Sequence, residues 1–202
     1  MCFSAPASFA AAAFLAPIGV YTLKTALRHD PRYLGFAAFP LLFGVQQLVE
    51  GGLWLGIARQ DPVQSHALAL GFLFFAYFLW PAFVPFSSFL VERGGWRRRA
   101  FLALTVCGCL LGLSLFVPLL VHPDWLPVRV VRHSIDYSAR LIWDGVAPDV
   151  LLRVVYAGIV CGPLLLSSAR PVRVFGALIA LSVIVGLLFA QYAFTSIWCF
   201  MA

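Results

Sequence analysis

The chain has 202 residues, of which 62% are hydrophobic and only 11% charged, and its mean hydropathy is +0.95. A soluble domain carries about 25% charged residues to face water, so these figures exclude a soluble globule, a disordered chain, a coiled coil, a collagen and a small disulfide scaffold. The net charge of +6 does not point to nucleic acid, because the basic residues sit in short connections between apolar runs.

A helix needs about 20 apolar residues to cross a hydrocarbon core. Six segments reach that length, at 5–26, 33–58, 67–91, 101–121, 150–168 and 172–201. The expected fold class is therefore all-α: a polytopic membrane helix bundle with about six transmembrane helices, forming one integral membrane domain over 1–202. No basic leader precedes the first apolar run and no plausible cleavage site follows it, so it reads as a span. Pro81 and Pro85 should kink the third span and free backbone carbonyls that need partners. Gly108-x-x-x-Gly112 and Gly158-x-x-x-Gly162 are close-approach patterns, which leads us to expect spans four and five to pack together. There is no internal repeat of the kind that marks many transporters.

Lys24, Arg28 and Arg32 follow span one, Arg93, Arg97, Arg98 and Arg99 follow span three, and Arg170 and Arg173 follow span five. On the opposite side, Arg129, Arg132 and Arg140 are matched by Asp124, Asp136, Asp144 and Asp149. The positive-inside rule then expects a multi-pass protein of the cytoplasmic membrane with both termini outside.

Charges inside the spans are scarce. Glu92 ends span three among arginines and reads as solvated. Glu50 differs, because it lies well inside span two, shortly after Gln46 and Gln47. Gln46 and Glu50 are four apart, while Gln47, Glu50 and Trp54 are three and seven apart, so they share one helix face. An ionisable group at that depth costs about 2.5–3.5 kcal/mol on insertion scales and must face the bundle interior. Span six repeats the pattern with Gln191, Thr195 and Trp198 on one stripe. Glu50 and Gln191 both fall roughly 12–15 Å below the outer surface at 1.5 Å per residue.

Segment 122–148 is longer than a plain connection. From Val131 onward it alternates, with Val131, His133, Ile135 and Tyr137 on one side and Arg132, Ser134, Asp136 and Ser138 on the other. We expect a short extended lid that points His133 and Tyr137 down toward Glu50. Cys107, Cys109 and Cys161 read as packing residues. Cys2 and Cys199 both belong to the outer, oxidising side, and three readings stand: a disulfide, two thiolate metal ligands, or unrelated thiols.

The opening Met-Cys-Phe-Ser-Ala-Pro-Ala-Ser-Phe resembles an uncharacterised bacterial membrane family whose members begin with nearly that string. Gln46-Gln47-Leu-Val-Glu50-Gly51 with Trp54, His133-Ser134-Ile135 with Tyr137, and Ser196-Ile-Trp198-Cys199-Phe200 are similar to the same family's pattern. The resemblance runs along essentially the whole chain and implies a six- or seven-span membrane protein, with no activity to carry over. The chain departs from the pattern in stopping almost directly after Cys199. Membrane zinc hydrolases of the ceramidase and progestin-receptor-like group do not fit, since the chain has no His-x-x-x-His pair. A zinc site could be built only at the outer rim, from His66, His122 and His133, with Cys2, His133 and Cys199 the other weak metal candidates.

Three functions remain open. One is a membrane enzyme acting on a lipid-like or quinone-like molecule, with Glu50 as the acid–base group, His133 as its partner, and Tyr137 and Gln47 orienting substrate; Gln46, Trp54, Gln191 and Trp198 complete the ligand set. The second is a transporter, channel or sensor, and the third an accessory subunit whose polar cluster fastens a bundle. The partners expected are membrane lipid and a second copy or membrane-complex subunit, not nucleic acid; the cofactor stays open, and the absence of phosphate-loop, flavin and nicotinamide fingerprints argues against the common soluble-enzyme classes.

Overall fold

In the computed structural model, residues 4–131, 134–137 and 139–189 are described. Helix α1 spans Ala5–His29. A short 3-10 turn at Pro31–Tyr33 and the single turn α2 (Leu34–Ala37) lead into α3, Phe39–Ala58. The third stretch runs as α4 (Pro62–Leu73), a π-helical turn (Phe74–Leu79) and α5 (Trp80–Val91). Helix α6 covers Gly95–Val121, α7 Asp149–Leu166 and α8 Arg170–Phe189.

Among the described residues, five stretches are long and apolar enough to cross a membrane: Ala5–His29, Pro31–Ala58, Pro62–Val91, Gly95–Val121 and Asp149–Leu166. The sixth expected span, 172–201, overlaps α8, and its part past Phe189 lies outside the described residues. Two helices begin earlier than hydropathy suggests. Asp61 accepts a hydrogen bond from the Gln64 N–H at 2.9 Å, an N-cap that starts α4 at Pro62. Helix α6 starts at Gly95 and so carries Arg97, Arg98 and Arg99 in its first turns. On α6, Leu102, Val106, Leu110, Leu113, Val117 and Leu120 are exposed at helical spacing, while Phe101, Gly108, Gly112, Leu115 and Leu119 are buried. A helix apolar on both faces suits lipid on one side and protein on the other.

The prolines act where expected, through an unforeseen geometry. Within the π turn, hydrogen bonds skip five residues, as Trp80 N–H does to the Phe75 carbonyl. The next donor in that register would be residue 81, but proline has no N–H, which leaves the Ala76 carbonyl to find another partner. The Tyr156 hydroxyl on α7 donates to it. The glycines of α6 then close on the same kinked stretch. A Cβ at Gly108 would stand 1.8 Å from the Pro81 carbonyl oxygen, and one at Gly112 would stand 2.9 Å from Phe78 Cα. Helices α6 and α7 do pack together, as expected, but not through these glycines: Gly108 and Gly112 serve α6 against the third span. Gly158 and Gly162 meet no heavy atom within 4 Å among the described residues.

The lid is a two-stranded antiparallel hairpin, β1 (Val128–Val131) and β2 (Ser134–Tyr137). Val130, rather than Val131, is the cross-strand partner of Ile135, and Val128 pairs with Tyr137. The single alternating strand expected from Val131 onward is therefore corrected to a hairpin, because the chain reverses between Val131 and Ser134. Ile135 is fully buried and Tyr137 is buried with its ring stacked on Phe72, at 4.7 Å and 4°. Trp143 Nε1 donates to Ser114 Oγ at 3.1 Å, and Arg140 N–H to the Trp125 carbonyl at 2.8 Å, which ties the connection to α6 and to its own first turn.

Two apolar clusters form the core. One joins Leu53, Phe72, Leu73, Leu119, Ile135 and Tyr137 under the hairpin. The other joins Phe39, Phe75, Trp80, Val84, Val160, Leu164 and Ile179. Cys161 belongs to the second cluster, Cys109 is half-buried and Cys107 is exposed, so the packing role read for Cys107 is corrected to a place on the outer surface of α6.

Candidate functional site

Helix α3 connects the two clusters, and its middle is polar. Phe39, Leu42 and Phe43 meet one cluster, and Val49, Leu53, Trp54 and Ile57 meet the other. Between them, Gln46, Gln47 and Glu50 are buried, at 0%, 2% and 0% exposure. Helical spacing places these three on the inward face for the same reason that makes an amphipathic stripe. Glu50 is eight residues from the end of α3, about 12 Å along the helix at 1.5 Å per residue.

Trp80 at the start of α5 donates its Nε1–H to Gln46 Oε1 at 2.9 Å, and Phe43 stacks on its ring at 4.1 Å. Gln47 Nε2 donates to Glu50 Oε2 at 3.4 Å, which is long for a hydrogen bond. Phe9 of α1 lies against Gly51, where a Cβ would stand 2.8 Å from its ring. The neighbouring Ser8 is fully buried.

Several polar atoms in this layer have no hydrogen-bond partner among the described residues: Ser8 Oγ, Gln46 Nε2, Gln47 Oε1 and Trp54 Nε1, all buried. Buried polar groups are satisfied in the great majority of cases, and each exception costs about 1–3 kcal/mol. The set offers donors on Trp54 and Gln46, an acceptor on Gln47, and a hydroxyl that can do either.

The structure brings Gln46, Gln47, Glu50 and Trp54 to one face, and seats Tyr137 in the cluster with Leu53 and Trp54, one turn beyond Glu50. His133, Gln191, Trp198, Cys2 and Cys199 lie outside the described residues. Among the described residues, no three His, Cys, Asp or Glu side chains gather as a metal site. His122 instead stacks on Trp125, at 4.6 Å. Trp80 carries no signal in the sequence, since its partner Gln46 lies on another helix, 34 positions away.

Glu92 is corrected from solvated to buried, at 3% exposure. Its Oε1 accepts from Ser167 Oγ at 2.9 Å and from the Ser168 N–H at 2.7 Å, just ahead of α8. Burial works to raise its pKa, but the bonds from Ser168 and Ser167 and the nearby Arg97 charge outweigh it and hold the carboxyl below its ordinary value.

No curated protein and no solved structure matches the chain. A family profile does, over residues 1–202. This apolar, multi-helix chain belongs to a family of unknown function, DUF6629.

Proposed function

We propose that this is a multi-pass protein of the bacterial cytoplasmic membrane, both termini outward, that binds the oxygen-bearing head of a lipid-like or quinone-like molecule beside Glu50. Glu50 exchanges a proton with the bound head, His133 is its partner, and Tyr137 and Gln47 orient the ligand under the hairpin. The observation that supports the reading is the set of hydrogen-bonding atoms on Gln46, Gln47, Trp54 and Ser8 that have no partner among the described residues. Trp54 and Gln46 match a carbonyl oxygen, and Gln47 Oε1 matches a hydroxyl. A cluster that only fastened helices would satisfy itself, as the Gln46–Trp80 pair does. A conduit would need polar groups continuing along α3, where Phe43, Leu42 and Phe39 follow instead.

Titration of the purified full-length chain with a short-chain benzoquinone, followed by tryptophan fluorescence, tests this, because Trp54 and Trp80 flank the layer. Saturable quenching is expected, weakened about tenfold in Glu50→Gln and Gln47→Leu by loss of a hydrogen bond involving a charged or buried group. Lipid extracted from the same preparation and identified by mass spectrometry covers the lipid-like alternative. Unchanged binding of quinone and lipid in both folded variants would overturn the proposal.

A further inference from the structure

At the opposite, arginine-rich end of the bundle, a cleft of about 330 Å³ opens between four segments. Arg32 and Tyr33 come from the turn after α1, Arg93 from the α5–α6 connection, Arg97 from the first turn of α6, and Ser168 from the α7–α8 connection. We propose that this cleft is a binding site for a phosphate group, carried by an anionic phospholipid of the surrounding leaflet or free in solution.

The charges at this place do not balance. Helix α6 begins without a side-chain cap and with no acidic residue in its first turn, yet carries three consecutive arginines there. Cations at the positive end of a helix dipole are unfavourable unless an anion joins them. The Glu92 carboxylate also lines the cleft, but its Oε1 is committed to Ser167 and Ser168 at the head of α8. Arg98 is committed as well, donating to the Glu92 carbonyl oxygen at 2.9 Å with its guanidinium over Phe89. Arg97 lies over the Trp96 ring at 5.2 Å and its charge bears on Glu92, but its buried Nε has no acceptor among the described residues. Asp30 binds one edge of Arg32, through Nε at 2.9 Å and Nη2 at 2.6 Å, which holds that guanidinium in place. Arg93 and Arg97 therefore line an anion-sized space, close enough to act on the Asp30 and Glu92 carboxylates but in a salt bridge with neither among the described residues. The cleft lies where a bundle of this topology meets lipid headgroups, and basic pockets at that level suit phosphate.

The test uses the full chain in neutral detergent micelles, doped with phosphatidylglycerol or with phosphatidylcholine, and separately inorganic phosphate, with thermal melting as the readout. Phosphatidylglycerol should raise the melting temperature where phosphatidylcholine does not. Arg93→Gln and Arg97→Gln should each weaken that binding about fivefold, at about 1 kcal/mol per arginine. Arg99→Gln, at the same end but outside the cleft, should leave it unchanged. The variants' melting without ligand shows whether they fold. A response to inorganic phosphate alone assigns the site to a soluble phosphate, and selectivity for the anionic lipid assigns it to the leaflet. No response to either ligand, or equal losses in Arg99→Gln and Arg97→Gln, overturns the site.

Discussion

Replacing Gly108 with alanine tests how α6 is seated. The new Cβ would stand 1.8 Å from the Pro81 carbonyl oxygen, 2.6 Å from its carbon and 3.3 Å from Ala82 N. Ordinary contact between heavy atoms needs about 3.5 Å, so α6 and the third span must part by about 1.7 Å. All three atoms are backbone, so no side-chain rotation relieves the clash. Overpacking of this kind costs about 1–3 kcal/mol, and alanine's better helix propensity returns about 1 kcal/mol. A rigid backbone clash belongs at the upper end of that range, so the net loss is about 2 kcal/mol, a factor of about 30 in the folded-to-unfolded ratio. Unfolding in mixed micelles of rising sodium dodecyl sulfate, followed by circular dichroism, measures it. Gly162→Ala is the matched control, with no heavy atom within 4 Å among the described residues, and should be neutral or slightly stabilising. Wild-type stability in Gly108→Ala, or an equal loss in Gly162→Ala, would refute the reasoning.

Glu92→Gln should lower stability by about 1 kcal/mol at pH 7, the difference between charged and neutral hydrogen bonds. Because the native carboxyl is held below its ordinary value, its contribution is full above the ordinary carboxylate range of about 4.3 and fades as the pH falls through the native value. The wild-type and variant melting curves should therefore converge in acid, and a gap that persists there contradicts the assignment. Tyr156→Phe removes the donor to the Ala76 carbonyl and should cost about 1–3 kcal/mol in the same micelle unfolding. No loss would mean that the carbonyl is satisfied without the phenol. Tyr137→Leu removes the stack on Phe72, worth about 0.5–1.5 kcal/mol beyond area. Limited proteolysis of 122–148 should then quicken, and an unchanged cutting rate would show that the tyrosine does not seat the hairpin.

Hydropathy summed over about 20 residues is a local property, and it suffices to read an all-α membrane bundle from this chain. The inward face of α3 is legible for the same reason, since Gln46, Gln47, Glu50 and Trp54 are related by helical spacing alone. The buried side of the lid was legible at Ile135 and Tyr137, but the hairpin was not, because alternation does not reveal where a strand turns back. What covers a residue from another helix left no mark. The Trp80 bond to Gln46, the enclosure of Glu92 by Ser167 and Ser168, and the seating of Gly108 on Pro81 each join positions far apart in the chain. Lipid is as apolar as leucine, so burial does not drive one membrane helix onto another. Shape and hydrogen bonding choose the neighbours, and those exist only in the assembled bundle.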